Sequence, residues 1–158
     1  MVDVGAMQSP VNDSRIEIGS VVLTDESARC KWRTWVDPGG VAIGRCRHVS
    51  DDLVLAVAPN EWIVIGHEPA GDVVDLTHVR AMIRVTGPSA RYLLTHVCAL
   101  DLGDLMMPDG SAARTLVAGV PTELVRDDAE GNPAYLLLMS RSFARSVWDH
   151  LVDVAERL

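Results

Sequence analysis

VVDLTHVRAMIRVT, running from Val73 to Thr86, closes on an apolar strand pattern, and Gly87-Pro88-Ser89 follows it at once. Beyond that punctuation, Tyr92, Leu93, Leu94 and Val97 keep helical spacing. Met82 to Thr86 therefore reads as a strand, Gly87 as a strand-to-helix turn, and Pro88 as part of the helix's first turn, where no N–H is needed. An earlier stretch, VVLTDESARCKWRT from Val21 to Thr34, echoes this one: Leu23, Thr24 and Ala28 fall on Leu76, Thr77 and Ala81. APNEWIVIG, ending at Gly66, similarly echoes NPAYLLLMS, ending at Ser140. A repeated unit of strand, helix and further strands predicts an internally duplicated α+β domain with antiparallel sheets and packed helices. Its pseudo-repeats are expected at about 16–76 and 77–158, within one domain spanning 16–158. A flexible N-terminal arm is expected at 1–15, where Ser, Pro, Asn and Asp mix without apolar periodicity.

Around these repeats the remaining elements can be placed. Arg29 to Val36 alternates Cys30, Trp32 and Thr34 against Lys31, Arg33 and Trp35, which suits a partly exposed strand. A weak helical stretch is expected after Pro38-Gly39-Gly40. Leu53 to Val57 and Trp62 to Gly66, joined by Ala58-Pro59-Asn60, predict a hairpin. Three more strands are expected at Arg114 to Ala118, Thr122 to Arg126 and Tyr135 to Met139. Gly119-Val120-Pro121 and the polar run Asp127 to Pro133 separate them. Ser142 is positioned to cap a final helix with Phe143, Val147, Leu151, Val154 and Leu158 as its apolar stripe. Arg145, Asp149, Asp153 and Arg157 lie opposite.

Composition narrows the function classes. The 158 residues are 48% apolar and 23% charged, the balance of a globular domain. The formal net charge is -8 and the 14 basic residues are scattered, so a phosphate backbone or an anionic membrane surface is a poor partner. No apolar run approaches the roughly 18 residues of a membrane span, and Met1 to Asn12 lacks the basic start and apolar stretch of a secretory signal. A cytoplasmic location is expected. Cys30, Cys46 and Cys98 make no Cys-x-x-Cys pair, and the five histidines show no ligand spacing. Cys46 and His48 match metal patterns only loosely, so no metal site is expected.

VDLTHVRAMIRVTGPSARYLLTHVCALDL, ARTLVAGVPTELVR and YLLLMSRSFARSVWDHL together resemble the gamma subunit family of heterotetrameric sarcosine oxidase, within the superfamily of folate-binding aminomethyltransferases. The resemblance covers Val74 to Leu158, and PNEWIVIG from Pro59 matches the family's Pro-x-Glu-Trp segment. What it implies is a four-subunit enzyme that oxidises sarcosine to glycine. Its other products would be hydrogen peroxide and formaldehyde or, with tetrahydrofolate, methylenetetrahydrofolate. Alpha, beta and delta subunits are the implied partners. FAD and FMN would sit in beta, NAD and tetrahydrofolate in alpha, and zinc in delta. The chain itself is then expected to bind no cofactor and to serve assembly.

The familiar motifs of cofactor binding and hydrolysis are missing from the sequence. Neither Gly-x-Gly-x-x-Gly nor Gly-x-x-x-x-Gly-Lys-Ser occurs, and Ser89, Ser140 and Ser142 lack a nucleophile-elbow context. Asp101, in CALDL, stands where the resemblance places a catalytic aspartate. The segment departs from the family's Asn-Asp-Val at Leu100, and an aspartate after a helix usually accepts backbone hydrogen bonds. Arg33 beside Trp35, and Arg141, Phe143 and Arg145 at the final helix, are candidate interface residues, since tryptophan and arginine anchor protein contacts. Two alternatives stand beside the accessory subunit: a stand-alone folate-binding protein or aminomethyltransferase, and a regulatory module sharing the fold.

Overall fold

The computed structural model describes residues 8–11 and 13–158. Eleven strands among them form two antiparallel sheets. The first sheet, in spatial order, is β1 (Arg15–Ile18), β2 (Val21–Asp25), β8 (Arg80–Thr86), β11 (Tyr135–Ser140), β10 (Val120–Arg126) and β9 (Ala112–Val117). The second is β4 (Arg45–Val49), β5 (Asp52–Ala58), β6 (Glu61–Ile65), β3 (Lys31–Thr34) and β7 (Val73–Asp75). Two helices, α1 (Ala90–Thr95) and α2 (Ala144–Ala155), complete the α+β fold that the sequence predicts.

Strand alternation sorts the core into layers. Ala81, Ile83 and Val85 of β8, with Tyr135, Leu137 and Met139 of β11, meet Leu93 and Leu94 of α1 and Val147, Trp148 and Leu151 of α2. Met82, Val125, Leu136 and Leu138 point the other way, onto Leu53, Leu55, Ile63 and Ile65 of the second sheet. The central strands are therefore apolar on both faces. Each such side chain taken out of water contributes about 1.5–3 kcal/mol before entropy is counted. Behind the second sheet, Val54, Ala56 and Val64 pack with Val41 and the half-buried Trp32 and Trp62.

The two stretches that echo each other exchange partners. β2 pairs with β8, and β3 pairs with β7. Each turn carries the same device. Asp25 Oδ1 accepts the Ser27 N–H at 2.9 Å, and Ser27 Oγ accepts the Met82 N–H at 3.0 Å. Asp75 Oδ1 accepts the Thr77 N–H at 2.8 Å, and Thr77 Oγ1 accepts the Lys31 N–H at 3.0 Å. These bonds match Asp25-Glu26-Ser27 to Asp75-Leu76-Thr77, three residues from the alignment of Leu23, Thr24 and Ala28 with Leu76, Thr77 and Ala81. Apolar patterning fixed that alignment, whereas polar turn residues set the structural correspondence.

The expected hairpins form. Asn60 takes a φ of 53° in the β5–β6 turn. The β9–β10 turn falls on Ala118 and Gly119, with φ of 50° and 77°, so Val120 and Pro121 belong to β10 rather than to the turn. Gly87 has a φ of 106°, and a Cβ there would stand 2.1 Å from the Ser20 carbonyl oxygen, so the strand-to-helix turn requires glycine.

Other expectations need correction. Lys31 is fully buried, because β3 lies between β6 and β7 and its inner face is covered by the first sheet. The helical stretch expected after Gly40 is absent among the described residues: a turn leads straight into β4, whose Arg45 and Cys46 pair with Ala56 and Leu55. Ser142 does not cap α2. Its Oγ lies 3.1 Å from Ser140 Oγ, and a single 3-10 turn, Arg141–Phe143, leads into the helix. The buried stripe of α2 is Ala144, Val147, Trp148, Leu151 and Ala155, while Phe143 and Leu158 are exposed. The helix starts later than expected, which rotates the stripe; Arg145, Asp149, Asp153 and Arg157 do face solvent. Of the expected arm, residues 1–7 and 12 lie outside the described residues, and Val11 is buried in the helix-side core.

Candidate functional site: the Asp101 cleft and the exposed apolar residues

Between α1 and β9 the chain makes a tight excursion, Leu100 to Gly110, that borders a cleft of about 380 Å³. Asp101 lines it, together with Arg45, Leu100, Met106, Met107 and Ala113. The Asp101 carboxylate is exposed, and its Oδ1 accepts the Gly103 N–H at 2.9 Å. This is an Asx turn, the backbone-accepting role that the sequence favours for it. Met106 and Met107 then donate their N–H groups to the Gly103 carbonyl at 3.0 and 2.8 Å.

Asp104 pins the excursion down from the side. It meets Arg91 at 2.5 Å and Arg126 at 2.6 Å, and Arg126 is held in turn by Asp128 at 2.9 Å. The Arg126 guanidinium, more than any other group, holds the Asp104 carboxyl below its ordinary value. Arg126 is itself pushed up, chiefly by Asp128. With the loop ends fixed, the apolar tip has nowhere to fold: Leu105 is 97% exposed and Met106 70% exposed. Sequence reasoning passed over this tip. The signal was present in Leu105-Met106-Met107, an apolar triplet between Gly103 and Pro108 without strand or helix period, of which Met107 is buried in the helix-side core and Leu105 and Met106 are exposed.

The interface candidates divide into two groups. Arg33 and Trp35 stand at the end of β3, with Arg33 Nε 3.3 Å from Glu61 Oε1 and Trp35 half exposed. Arg141, Phe143 and Arg145 stand at the start of α2, on the far side of the first sheet. Arg141 donates to the Gln8 carbonyl, Phe143 is half exposed, and Arg145 lies 3.8 Å from Asp149. Among the described residues no hydrogen bond or ion pair joins the two groups.

Ionic groups also occupy the space between the sheets. Glu61 accepts from Arg114 at 2.9 Å, and Glu123, almost fully buried, pairs with Arg114 at 3.3 Å and with Arg80. Burial, aided by the neighbouring Arg33 and Arg114 guanidiniums, pushes the Arg80 pKa down. Lys31 donates to the carbonyls of Ser27 at 2.8 Å and Arg29 at 2.6 Å, and burial lowers its pKa to about 8. Cys46, buried beside the Arg126 carbonyl, has its thiol pushed up to about 12 by burial first and by Asp127 second. His48 pairs with Asp127 at 2.8 Å. Among the described residues no cluster of three His, Cys, Asp or Glu side chains could hold a metal ion, and no helix is long and apolar enough to cross a membrane.

No protein-family model and no curated protein matches this sequence. Solved structures do match its fold. One is the heterotetrameric sarcosine oxidase of Corynebacterium sp. U-96 in complex with pyrrole 2-carboxylate: the TM-score is 0.75 at 21% identity, over 96% of this chain and 90% of that one. Another is the glycine cleavage system aminomethyltransferase T of Bartonella henselae, with a TM-score of 0.63 at 15% identity, over 87% of this chain and 49% of that one. The chain thus has the fold shared by a sarcosine oxidase chain and by about half of an aminomethyltransferase.

Proposed function

We propose that this chain is a non-catalytic accessory subunit of a heterotetrameric sarcosine oxidase-type complex, in the position of the gamma subunit. The observation that carries this reading is the match in extent. The fold accounts for 96% of this chain and 90% of the oxidase chain, whereas it accounts for only half of the aminomethyltransferase. The Asp101 carboxylate, committed to the Gly103 N–H, further supports a structural part for that residue. On this reading the partners are alpha, beta and delta subunits, and FAD, FMN, NAD, tetrahydrofolate and zinc belong to them. The complex would act in the cytoplasm on sarcosine.

The test is native mass spectrometry of the tagged chain purified gently from its source cells, with an absorbance scan for flavin. A single assembly with larger flavin-bearing chains is expected. A colourless monomer or homo-oligomer would sink the reading.

A second reading, a folate-binding protein, draws on the cleft beside Asp101. Its size lies within the range of small-molecule sites, roughly 300–1,000 Å³. Its lining is less suitable: no aromatic side chain borders it, so a pterin would have no ring to stack on. Titration of the isolated chain with tetrahydrofolate is expected to show no saturable binding.

A further inference from the structure

We propose that the open end of the inter-sheet space, centred on Arg33, docks a surface segment of a larger partner chain through an aspartate or glutamate carboxylate of that segment. The inference rests on the accessory-subunit reading and specifies the surface through which that subunit is held.

Both sheets lead to this end. On the second sheet Arg33 pairs with Ile63 on one side and with Val74 on the other, so its side chain leaves by the inner face, next to the core. On the first sheet Glu123 lies between Arg114 and Leu138, and Leu116 follows Arg114 on the same inner face. The apolar core there gives way to five ionic side chains, Arg33, Arg80, Arg114, Glu61 and Glu123. Their ion pairs are Arg33–Glu61, Arg114–Glu61, Arg114–Glu123 and Arg80–Glu123. Three guanidiniums share two carboxylates, which leaves one positive charge over in a chain whose formal net charge is -8. Burial pushes the Arg80 pKa down, and Arg33 and Arg114 add to the effect, so the three guanidiniums crowd one another.

Arg33 carries the unspent charge. Only its Nε comes near a carboxylate, 3.3 Å from Glu61 Oε1, and that oxygen already accepts from Arg114 at 2.9 Å. Among the described residues the two terminal amino groups of Arg33 meet no acceptor, and the side chain is 29% exposed. Asp72, just ahead of β7, forms no ion pair with it. The free edge of a guanidinium takes a carboxylate through two parallel hydrogen bonds.

Apolar side chains frame this fork. Val74 lies beside it on β7, Trp35 stands one residue beyond β3, and Leu116 marks the β9 side; all three are about half exposed. An arginine flanked by a tryptophan is the composition of an interface anchor, and covering the apolar rim excludes the water that would screen the ion pair. A two-fold contact with a second copy would set guanidinium against guanidinium, and any other contact between copies would oppose two chains of net charge -8. The chemistry therefore selects an acidic residue with apolar neighbours on a different, larger chain.

The test compares the assembly purified from the source cells with assemblies formed by the Arg33→Met and Arg33→Lys chains. Arg33→Met leaves Glu61 paired with Arg114 and relieves Arg80 of a like charge, so it is expected to match the native chain in urea unfolding. It is expected to bind the flavin-bearing partners about ten-fold more weakly or worse at low salt, with an affinity that falls less steeply as salt is added. Arg33→Lys keeps the charge and loses the fork. Carbodiimide treatment of its assembly is expected to join position 33 to an aspartate or glutamate of a larger partner chain, located by mass spectrometry. A flavin-bearing assembly that Arg33→Met leaves as tight as before would overturn the docking surface and leave the accessory-subunit reading standing. Coupling of position 33 to a second copy, or only to Glu61 or Asp72 of its own chain, would overturn it as well. Failure to find any flavin-bearing assembly would overturn both.

Discussion

The Thr77 hydroxyl accepts the backbone N–H of Lys31 at 3.0 Å, and both residues are buried. Ser27 does the same for Met82 on the other turn, so two side-chain hydroxyls hold the crossing where β2–β3 and β7–β8 exchange partners. Removing either hydroxyl strands a buried amide. Thr77→Ala and Ser27→Ala are each expected to destabilise the chain by about 1–3 kcal/mol in urea unfolding. Because the two bonds support one crossing, the double variant should depart from additivity. Simple additivity would show that the turns act independently.

Lys31 gives the fold a specific pH response. Its folded pKa of about 8 lies below the ordinary 10.5, so between those values the folded state binds fewer protons than the unfolded state. Stability therefore rises as pH increases from about 8 towards 10.5, where an ordinary lysine would contribute no slope. The full span corresponds to about 3 kcal/mol. Lys31→Met is expected to flatten the slope of unfolding free energy against pH in that window. An unchanged slope would locate the titrating group elsewhere.

Lys31 also shows what the sequence could and could not reveal. Its alternation with Trp32 was legible, since strand period depends on neighbours in the chain. Its burial was not, because that depends on the first sheet and on β7, which arrives from about forty residues away. The same division runs through the site. Asp101 as a backbone acceptor follows from Asp-x-Gly locally. The Leu105–Met106 tip becomes exposed only because Asp104 is anchored to Arg91 and Arg126, contacts that no local pattern encodes. The place of β9 at one end of the first sheet likewise depends on sheet order, which hairpin signals leave undetermined.

Glu123 is the most buried member of the ionic lattice between the sheets, with Arg80 and Arg114 as its partners. Glu123→Ala would leave those guanidiniums facing each other beside Arg33, and it is expected to cost roughly 3 kcal/mol. Replacing both members of a pair by apolar residues removes the uncompensated charge. Glu123→Met with Arg80→Met should therefore be more stable than Glu123→Met alone. Thermal unfolding of the three variants distinguishes a lattice needed for charge compensation from one that is incidental.

The three thiols should separate by accessibility. Cys30 is exposed, Cys46 and Cys98 are buried, and the Cys46 thiol is pushed up to about 12. A thiol-reactive dye at pH 8 is expected to label Cys30 quickly and Cys46 only after unfolding, because the thiolate is the reacting species. Rapid labelling of Cys46 in the native chain would mean that the β4 edge opens readily.

Asp101 can be assigned by two substitutions that differ in one hydrogen bond. Asp101→Asn keeps an oxygen acceptor for the Gly103 N–H, so its stability should change by no more than about 0.5 kcal/mol. Asp101→Ala loses the acceptor and is expected to cost about 1 kcal/mol, with faster exchange at the Gly103 amide. If the residue serves only this turn, the proposed oxidase complex, assembled with Asp101→Asn, should act with unchanged kcat and KM. A large fall in kcat with intact stability would instead make the carboxylate a participant in the chemistry. The Asx turn would then be the device that holds it at the cleft.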